Sequence, residues 1–372
     1  MRTLLAALLD EVESVYAVGG VVRDALLGLE TKLTDIDLVL AEEVLPVARR
    51  VADRLGWAYY PLDEGRDVAR LVFTANHGDP YVCDIARMRG ASIEEDLYAR
   101  DFTINAMALA MAKGRPAQLV DVTGGQADLQ AKRLRRVSAA SLADDPLRLL
   151  RAVRFVNDLD LTIEPHTEDQ IKRMGSTIKL VTPERRRDEL WKTLATADPE
   201  RAVVLLQDLG LLAPLLPEVT ETIGVAQSFP HYTDVYSHTL MVVRNAAYIR
   251  DWLRANQVEE PPQAMWQATL LPWRNELRQH FLQPITSGHE RIDWLIWHAL
   301  LHDIGKPATQ SVEREPDGST HYHFYTHEHV GAEMSAARLS ELRFSRNEIS
   351  LAQIVIDAHM RPHHLDLSFT HE

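Results

Sequence analysis

The stretch Val18-Gly19-Gly20-Val21-Val22-Arg23-Asp24-Ala25-Leu26-Leu27-Gly28, followed six residues later by Asp35-Ile36-Asp37-Leu38, decides how the N-terminal part of the chain folds. Two glycines stand between an apolar strand, Val15–Val18, and a helical run. Glycines there let the backbone approach a phosphate closely, and the N–H groups at the following helix start are open to an anion. Alone, the pair reads first as a plain strand-to-helix turn. Arg23 adds a rigid donor fork suited to phosphate. In a strand, residues two apart share a face, so the carboxylates of Asp35 and Asp37 converge with Ile36 behind them. Such a pair repels itself unless a cation joins it, and Mg²⁺ held this way serves in-line phosphoryl or nucleotidyl transfer. A lone Asp-x-Asp equally fits a solvated turn. Asp84, on a later predicted strand, is positioned to add a third carboxylate.

Outward from this stretch, Ile36–Leu40, Val68–Phe73 and Tyr81–Ile85 read as strands from their β-branched and aromatic content, and Val44–Leu55 has the spacing of an amphipathic helix. The N-terminal region is therefore α/β or α+β. From Lys132 onward apolar residues recur at three and four, as in Leu147, Leu150, Val153 and Phe155, and the remainder reads as mostly helical. Turn residues between Leu216 and Pro230 suggest a second boundary, and Asn256–Pro272 reads as a long loop or insertion.

Composition sets the outer limits. The 372 residues carry 40 Lys plus Arg against 54 Asp plus Glu, a net charge of −14, which excludes a uniformly basic nucleic-acid coat. Residues 130–187 run the other way, with 13 basic against 8 acidic side chains, so a local RNA dock remains open. Lys132, Arg133, Arg135, Arg136, Arg185 and Arg186 are its candidates. Cys83 is the single cysteine, so any metal must be held by carboxylates and imidazoles. With no apolar run of spanning length and an acidic N-terminus, the expectation is a cytoplasmic protein that does not enter a membrane.

Two clusters follow the strands. Arg100-Asp101-Phe102-Thr103-Ile104-Asn105 reads as a helix start with polar groups set among apolar ones, as a nucleotide pocket would have. Asp145 then precedes Arg148, Arg151 and Arg154, which recur every three residues and so share one side of a helix. Without further context this is a solvated face with an N-terminal charge complement, while an Arg–Asp pair can also address a base edge.

In order, GGVVRDALLG (Gly19–Gly28), DIDL (Asp35–Leu38), EEDLYARDFTINAMAL (Glu94–Leu109), DDPLRLLRAVRF (Asp144–Phe155) and PERRRDEL (Pro183–Leu190) resemble the successive motifs of class II tRNA nucleotidyltransferases and bacterial poly(A) polymerases. The resemblance covers residues 16–190 and implies a polymerase-β-like α+β head with a small mixed sheet, followed by an all-α neck and body. It implies that Asp35 and Asp37 bind two Mg²⁺ ions and that Gly19, Gly20, Arg23 and Asp24 belong to the triphosphate site. Arg100, Asp101 and Asn105 fall where the family holds ribose and base. Asp145 and Arg148 match the pair that selects CTP or ATP, with Arg151 and Arg154 in support. The implied partners are the tRNA 3′ end and CTP, ATP or both. The sequence departs from the family at Ala99, where a second arginine is usual, and at Asp144, where glutamate is usual. Only Gly90–Glu95 separates Arg89 from Asp96, and such a shortened loop resembles enzymes that stop after two cytidines. Poly(A) polymerase is the rival within the family.

Of 16 histidines, 12 lie from His280 onward. His238, the adjacent His302-Asp303, His327 and His359 could share a divalent ion, whereas His298 reads as a core residue. HALLHDIGKP (His298–Pro307) and HEHVGAE (His327–Glu333) resemble the HD phosphohydrolase superfamily, a helical metal-binding domain. That superfamily implies a last Asp on a later helix. The chain reaches Glu372 shortly after His359, and Asp366 is a poor substitute by spacing, so the expectation is an incomplete domain with an impaired phosphohydrolase site. The resulting division is 1–130 for the nucleotidyltransferase head, 131–222 for the nucleotide-selecting and tRNA-binding neck and body, and 223–372 for the HD-type domain. Tryptophans 252, 266, 273, 294 and 297 read as core rather than base-stacking residues.

Overall fold

The computed structural model describes residues 2–29, 36–74, 80–256, 265–286, 288–314 and 316–361. Asp35 and Asp366 lie outside them. The chain forms two compact units, one made of Met1–Arg148 with Leu159–Glu168 and the other of Leu149–Asp158 with Asp169–Glu372.

The first unit is built on seven strands: β1 (Ser14–Val18), β2 (Ile36–Leu40), β3 (Ala58–Asp63), β4 (Val68–Phe73), β5 (Tyr81–Arg87), β6 (Ala108–Ala112) and β7 (Gln118–Val120). They lie in the order β3-β4-β5-β2-β1-β6-β7. Neighbours are antiparallel except β2 and β5, which are parallel. A parallel pair needs a crossover, and the helix Val44–Leu55 with β3 and β4 supplies it. That helix has the expected bounds because Val44, Val47, Ala48, Val51 and Ala52 fall on one buried stripe and Gly56, at φ 69, ends it. Burying each valine contributes roughly 1.5–3 kcal/mol. Asp67 caps the helix from outside, accepting from the Val44 and Leu45 N–H groups at 2.8 and 2.9 Å.

Two expectations are corrected. Arg100–Asn105 does not open an α-helix, and only Thr103–Asn105 forms a 3₁₀ turn. The backbone there is already engaged: Thr103 N–H donates to Arg135 O at 2.9 Å and Val137 N–H to Asp101 O at 3.1 Å. Within the stretch expected to be a long loop, Met265–Leu270 is helical and Leu271–Trp273 forms a 3₁₀ turn, while residues 257–264 lie outside the described residues.

The second unit is mostly helical, as expected. Its longest described helices are Val235–Arg254, His327–Glu341 and Arg346–Ala358. The hairpin Ser311–Arg314/Thr320–His323 was not anticipated. Trp294 and Trp297 are fully buried and pack with Trp191 and Phe344, and Trp252 is buried in a second cluster. Trp273, at 63% exposure, departs from the core reading. The His289 ring stacks on Trp191 at 3.8 Å and its Nδ1 meets Glu348 Oε1 at 2.6 Å. Glu348 also closes a capping box with Ser345. No described helix is long and apolar enough to cross a membrane.

The helix Gly125–Gln130 starts against the 3₁₀ turn, and a Cβ on Gly125 would stand 2.1 Å from Thr103 O. Gly125→Ala is expected to destabilise the protein by about 1–3 kcal/mol in urea denaturation, whereas Gly65→Ala, which meets only the Asp63 side chain at 3.5 Å, is tolerated. Burial raises the Glu348 pKa, but hydrogen bonds from His289 and Ser345 outweigh it and hold the group at about 2 instead of 4.5. Its stabilising contribution is complete above pH 4.5 and disappears as pH falls through 2. Glu348→Gln is therefore expected to lower the unfolding midpoint at pH 7 and to flatten the wild-type decline in that acid window.

Candidate functional site

Gly19, with φ 73, turns the chain from β1 into the helix Gly20–Leu26, a backbone geometry L-residues rarely adopt. A Cβ there would sit 3.6 Å from an Arg100 guanidinium nitrogen and 3.7 Å from Asp37 Oδ2. The glycine turn, Arg100 and Asp37 thus meet at one place. Asp37 projects from β2 beside Asp84, its register partner on β5. Beneath them Cys83 is buried, and burial together with the charges of Asp84 and Asp37 pushes its thiol pKa up. Asp84 is engaged by Arg70, which donates from Nε and Nη2 at 2.7 and 2.8 Å.

Each basic group around the turn is held by a partner. Arg23 donates to Asp24 Oδ1 at 2.7 Å and to Asn105 Oδ1 at 2.8 Å. Asn105 in turn donates to buried Asp101 at 3.4 Å, and Asp101 also accepts from Phe102 N–H at 2.8 Å. Gly20 lies against Arg23, 3.5 Å from its guanidinium at the Cβ position. Arg100 donates twice to Asp96 Oδ2, at 3.0 and 2.8 Å. Asp96, visible in the sequence only as one letter of a motif, thus holds the Arg100 guanidinium.

Arg148 donates to three main-chain carbonyls, Ala99 at 3.0 Å, Arg100 at 3.2 Å and Ser141 at 2.8 Å. Asp145 caps the helix Leu147–Asp158 through Leu147 N–H at 3.2 Å. Farther along that helix, Arg151 lies over the Phe155 ring, and Arg154 pairs with Glu189 at 2.7 Å.

The loop before Asp96 is short and closed. Gly90 has φ 83, Ala91 N–H donates to Glu95 Oε2 at 2.8 Å, and Arg89 N–H donates to Asp96 Oδ1 at 3.0 Å. Ser92 caps the helix Ile93–Tyr98 through Glu95 N–H.

Of the expected RNA contacts, Lys132 and Arg133 are exposed, the former paired with Asp160 at 3.0 Å. Arg135 donates to Asp128 and to Thr123 O, and Arg136 is half-buried. Arg185 is exposed, whereas Arg186 is 6% exposed, with a guanidinium nitrogen 3.9 Å from Glu341.

In the second unit the structure brings all five candidate ligands together. Asp303, 2% exposed, has Oδ2 3.0 Å from His302 Nε2 and 3.7 Å from His238 Nε2, and Oδ1 3.4 Å from His327 Nε2 and 3.8 Å from His359 Nε2. Lys306 Nζ lies 2.8 Å from Oδ2 and donates to Gln227 at 2.7 Å. Burial raises the Asp303 pKa, but His302, His327 and Lys306 outweigh it and hold the carboxyl far below its ordinary range. Burial, then the neighbouring His302, lowers His238 to about 4.

The fit to a metal ion follows from tautomers. The Nδ1 atoms of His302, His327 and His359 lie 2.8, 2.7 and 2.6 Å from the carbonyls of Ala299, Phe324 and Ile356. A carbonyl only accepts, so each Nδ1 carries a hydrogen and each ring turns its Nε2, the atom that would meet a metal ion, toward the cluster. The Nε2 atoms of His327 and His359 are 3.2 Å apart. Two facing lone pairs need a cation or a proton between them, and burial lowers the proton affinity of His359. A divalent metal suits this donor set. The cluster opens into a cavity of about 570 Å³ that Phe229, Tyr322 and Tyr325 also line. His298, against Trp294, is likewise lowered to about 4 by burial, in keeping with a core role. Protein purified with Mn²⁺ is expected to retain the ion at the cluster by elemental analysis. His327→Ala and Asp303→Ala should each lose that equivalent, and equal retention in both would refute the assignment.

Three family models match separate parts of the chain. The family model described as the poly A polymerase head domain matches residues 15–135, "Probable RNA and SrmB- binding site of polymerase A" matches 160–223, and the HD domain matches 235–368. The A-adding tRNA nucleotidyltransferase of Deinococcus radiodurans is 34% identical over 348 residues, 92% of this chain and 68% of that protein. The CC-adding tRNA nucleotidyltransferase of Synechocystis is 38% identical over 196 residues, 53% of this chain but only 45% of its own length. Among solved structures, the Thermotoga maritima CCA-adding enzyme complexed with tRNA is 25% identical with a TM-score of 0.57, covering 95% of this chain and 77% of that one.

Proposed function

The chain belongs to the family of tRNA nucleotidyltransferases and poly(A) polymerases, and on that premise we propose that it adds CMP from CTP to the 3′ end of tRNA and releases pyrophosphate. The observation that carries the choice of cytidine is the turn at Gly90–Glu95, where backbone and side chains are mutually bonded over a span too short for a mobile loop. The RNA 3′-hydroxyl attacks the α-phosphate, and the bond to the β-phosphate breaks. Carboxylate oxygens of Asp37 and Asp35 suit Mg²⁺, which lowers the hydroxyl's pKa and neutralises charge on the departing pyrophosphate when bound.

The protein's own share is positioning and fixed charge. The Gly19 turn sets Arg100 and Asp37 side by side where a triphosphate would bind, and Arg23, fixed by Asp24 and Asn105, would offer it a donor. Asp96 aims Arg100 at the same place. Arg148 and Asp145 tie the start of the next helix to the Ala99–Arg100 backbone, where side-chain selection of the base would act. Lys132, Arg133 and Arg185 are suited to acceptor-stem phosphates. We assign residues 1–130, 131–222 and 223–372 to head, body and HD domain, the last holding a second divalent ion.

AMP addition is the second reading, favoured by the similarity to an A-adding enzyme across 92% of the chain. Transcripts of tRNA ending at the discriminator base, at C or at CC, each supplied with one labelled nucleotide, separate the two. CTP-only extension that stops after two additions is expected; AMP addition to the CC transcript alone would replace the first reading with the second, and long A tails would replace both with poly(A) polymerase. Asp37→Ala should lower incorporation on the order of 10³-fold while tRNA affinity stays within about two-fold.

A further inference from the structure

The strand registers continue outward from Asp37 to the edge of the sheet. Asp37 on β2 pairs with Asp84 on β5, Asp84 with Arg70 on β4, and Arg70 with Tyr60 on β3. Register partners project to the same side, so these four side chains form one row. The two faces of this half of the sheet differ. The helix Val44–Leu55 packs on one, where Ala69, Leu71, Cys83 and Ile85 are buried. On the face that carries the row, Val68, Val72 and Val82 are only half-buried and Tyr60 is 51% exposed. Adjacent tyrosines divide between the faces: Tyr59 lies under the Arg49 guanidinium at 5.4 Å, whereas the Tyr60 side chain meets no partner among the described residues. Arg70 donates once to each Asp84 oxygen, which offsets the charge of that carboxylate and leaves it lone pairs for a cation. Asp84 and Arg70 together carry no net charge, so the face beyond Asp37 does not repel phosphate, and it ends in an open aromatic ring flanked by aliphatic side chains.

We propose that this open face seats the 3′-terminal segment of the RNA being extended, with a base stacked on Tyr60. This rests on the reading of the chain as an RNA nucleotidyltransferase. In-line displacement requires the attacking hydroxyl and the departing pyrophosphate to stand on opposite sides of the reacting phosphorus. The glycine turn ends β1, on one side of β2, and the row runs over β5, β4 and β3 on the other. A triphosphate at the turn therefore leaves the row for the RNA. Three strand spacings put Tyr60 about 14 Å from Asp37, the rise of about four stacked nucleotides, so an RNA end that reaches Asp37 carries one of its last few bases over Tyr60. Stacking also suits a growing end. Each addition changes which base is last, and hydrogen bonds to base edges would favour one end over the next, whereas a ring accepts the face of any base.

The test uses the full chain and tRNA carrying 5-iodouridine at each of the last three positions in turn, a base that cross-links on irradiation to an aromatic ring stacked on it. Without CTP, at least one position should label the peptide that contains Tyr60, and Tyr60→Ala should abolish that label. In steady-state incorporation Tyr60→Ala should raise KM for tRNA about five-fold or more, with KM for CTP within about two-fold of the parent. Tyr60→Phe, which keeps the ring, should match the parent in both. Tyr60→Thr, a side chain suited to a strand, should repeat the alanine result and guards against a loss of fold, which circular dichroism reads. No labelling of β3 from any position, or an equal rise of both KM values in the Ala and Thr variants, overturns the proposal. A parent protein that incorporates no nucleotide into tRNA removes the reading beneath it, whereas an active parent with unchanged Tyr60 variants removes this inference alone.

Discussion

The register of β2 between β1 and β5 is the constraint on which the first unit depends. One face of β2 must stay buried, since Ile36, Leu38 and Leu40 are core residues, so a slip by one residue would turn Asp37 inward and expose the apolar row. Pairing in parallel with β5 demands a crossover, and the buried stripe of Val44–Leu55 makes that crossover part of the core. Once β2 is fixed, Asp37 lies beside Asp84 and opposite the glycine turn that ends β1. The juxtaposition of Asp37 and Asp84 is in this sense a by-product of hydrophobic burial.

The two units organise charge differently. Around the glycine turn, arginines are aimed by acids or carbonyls: Arg23 by Asp24 and Asn105, Arg100 by Asp96, Arg148 by three main-chain oxygens. Long flexible side chains held in this way would not need to be ordered for an anion to bind, which is where preorganised electrostatic sites gain their advantage. In the second unit the central group is an acid, Asp303, surrounded by imidazoles. There the Nε2 atoms are gathered around one carboxylate, and Lys306 supplies a fixed positive charge beside it.

Legibility in the sequence followed burial. Val44–Leu55, Ile36–Leu40 and Val68–Phe73 were read with their observed bounds because each alternates or repeats at the period of its element. β6, Ala-Leu-Ala-Met-Ala, has the composition of a helix and is a strand only because β1 and β7 pair with it on both sides. β3 contains a proline and sits at the sheet edge, and the Ser311–Arg314 strand is exposed along its length, so neither carries an apolar pattern. At the sites, residue type and order singled out Asp37, which the structure sets beside the glycine turn, and the five residues it gathers around the Asp303 carboxylate. The partners were not legible: that Arg70 faces Asp84, that Asp96 holds Arg100, or that Arg186 is buried depends on contacts between elements distant in sequence.

The anchors of the histidine cluster have a further consequence. His302, His327 and His359 each give their Nδ1 hydrogen to the carbonyl of the residue three positions earlier. The acceptor is main chain in all three cases, so no replacement of a neighbouring side chain can remove it. Ring orientation is inherited from local backbone geometry, and the surrounding sequence is free to drift without disturbing the ligand atoms. What drift could not preserve is a change of backbone, such as a proline or an insertion, in the three residues ahead of any of these rings.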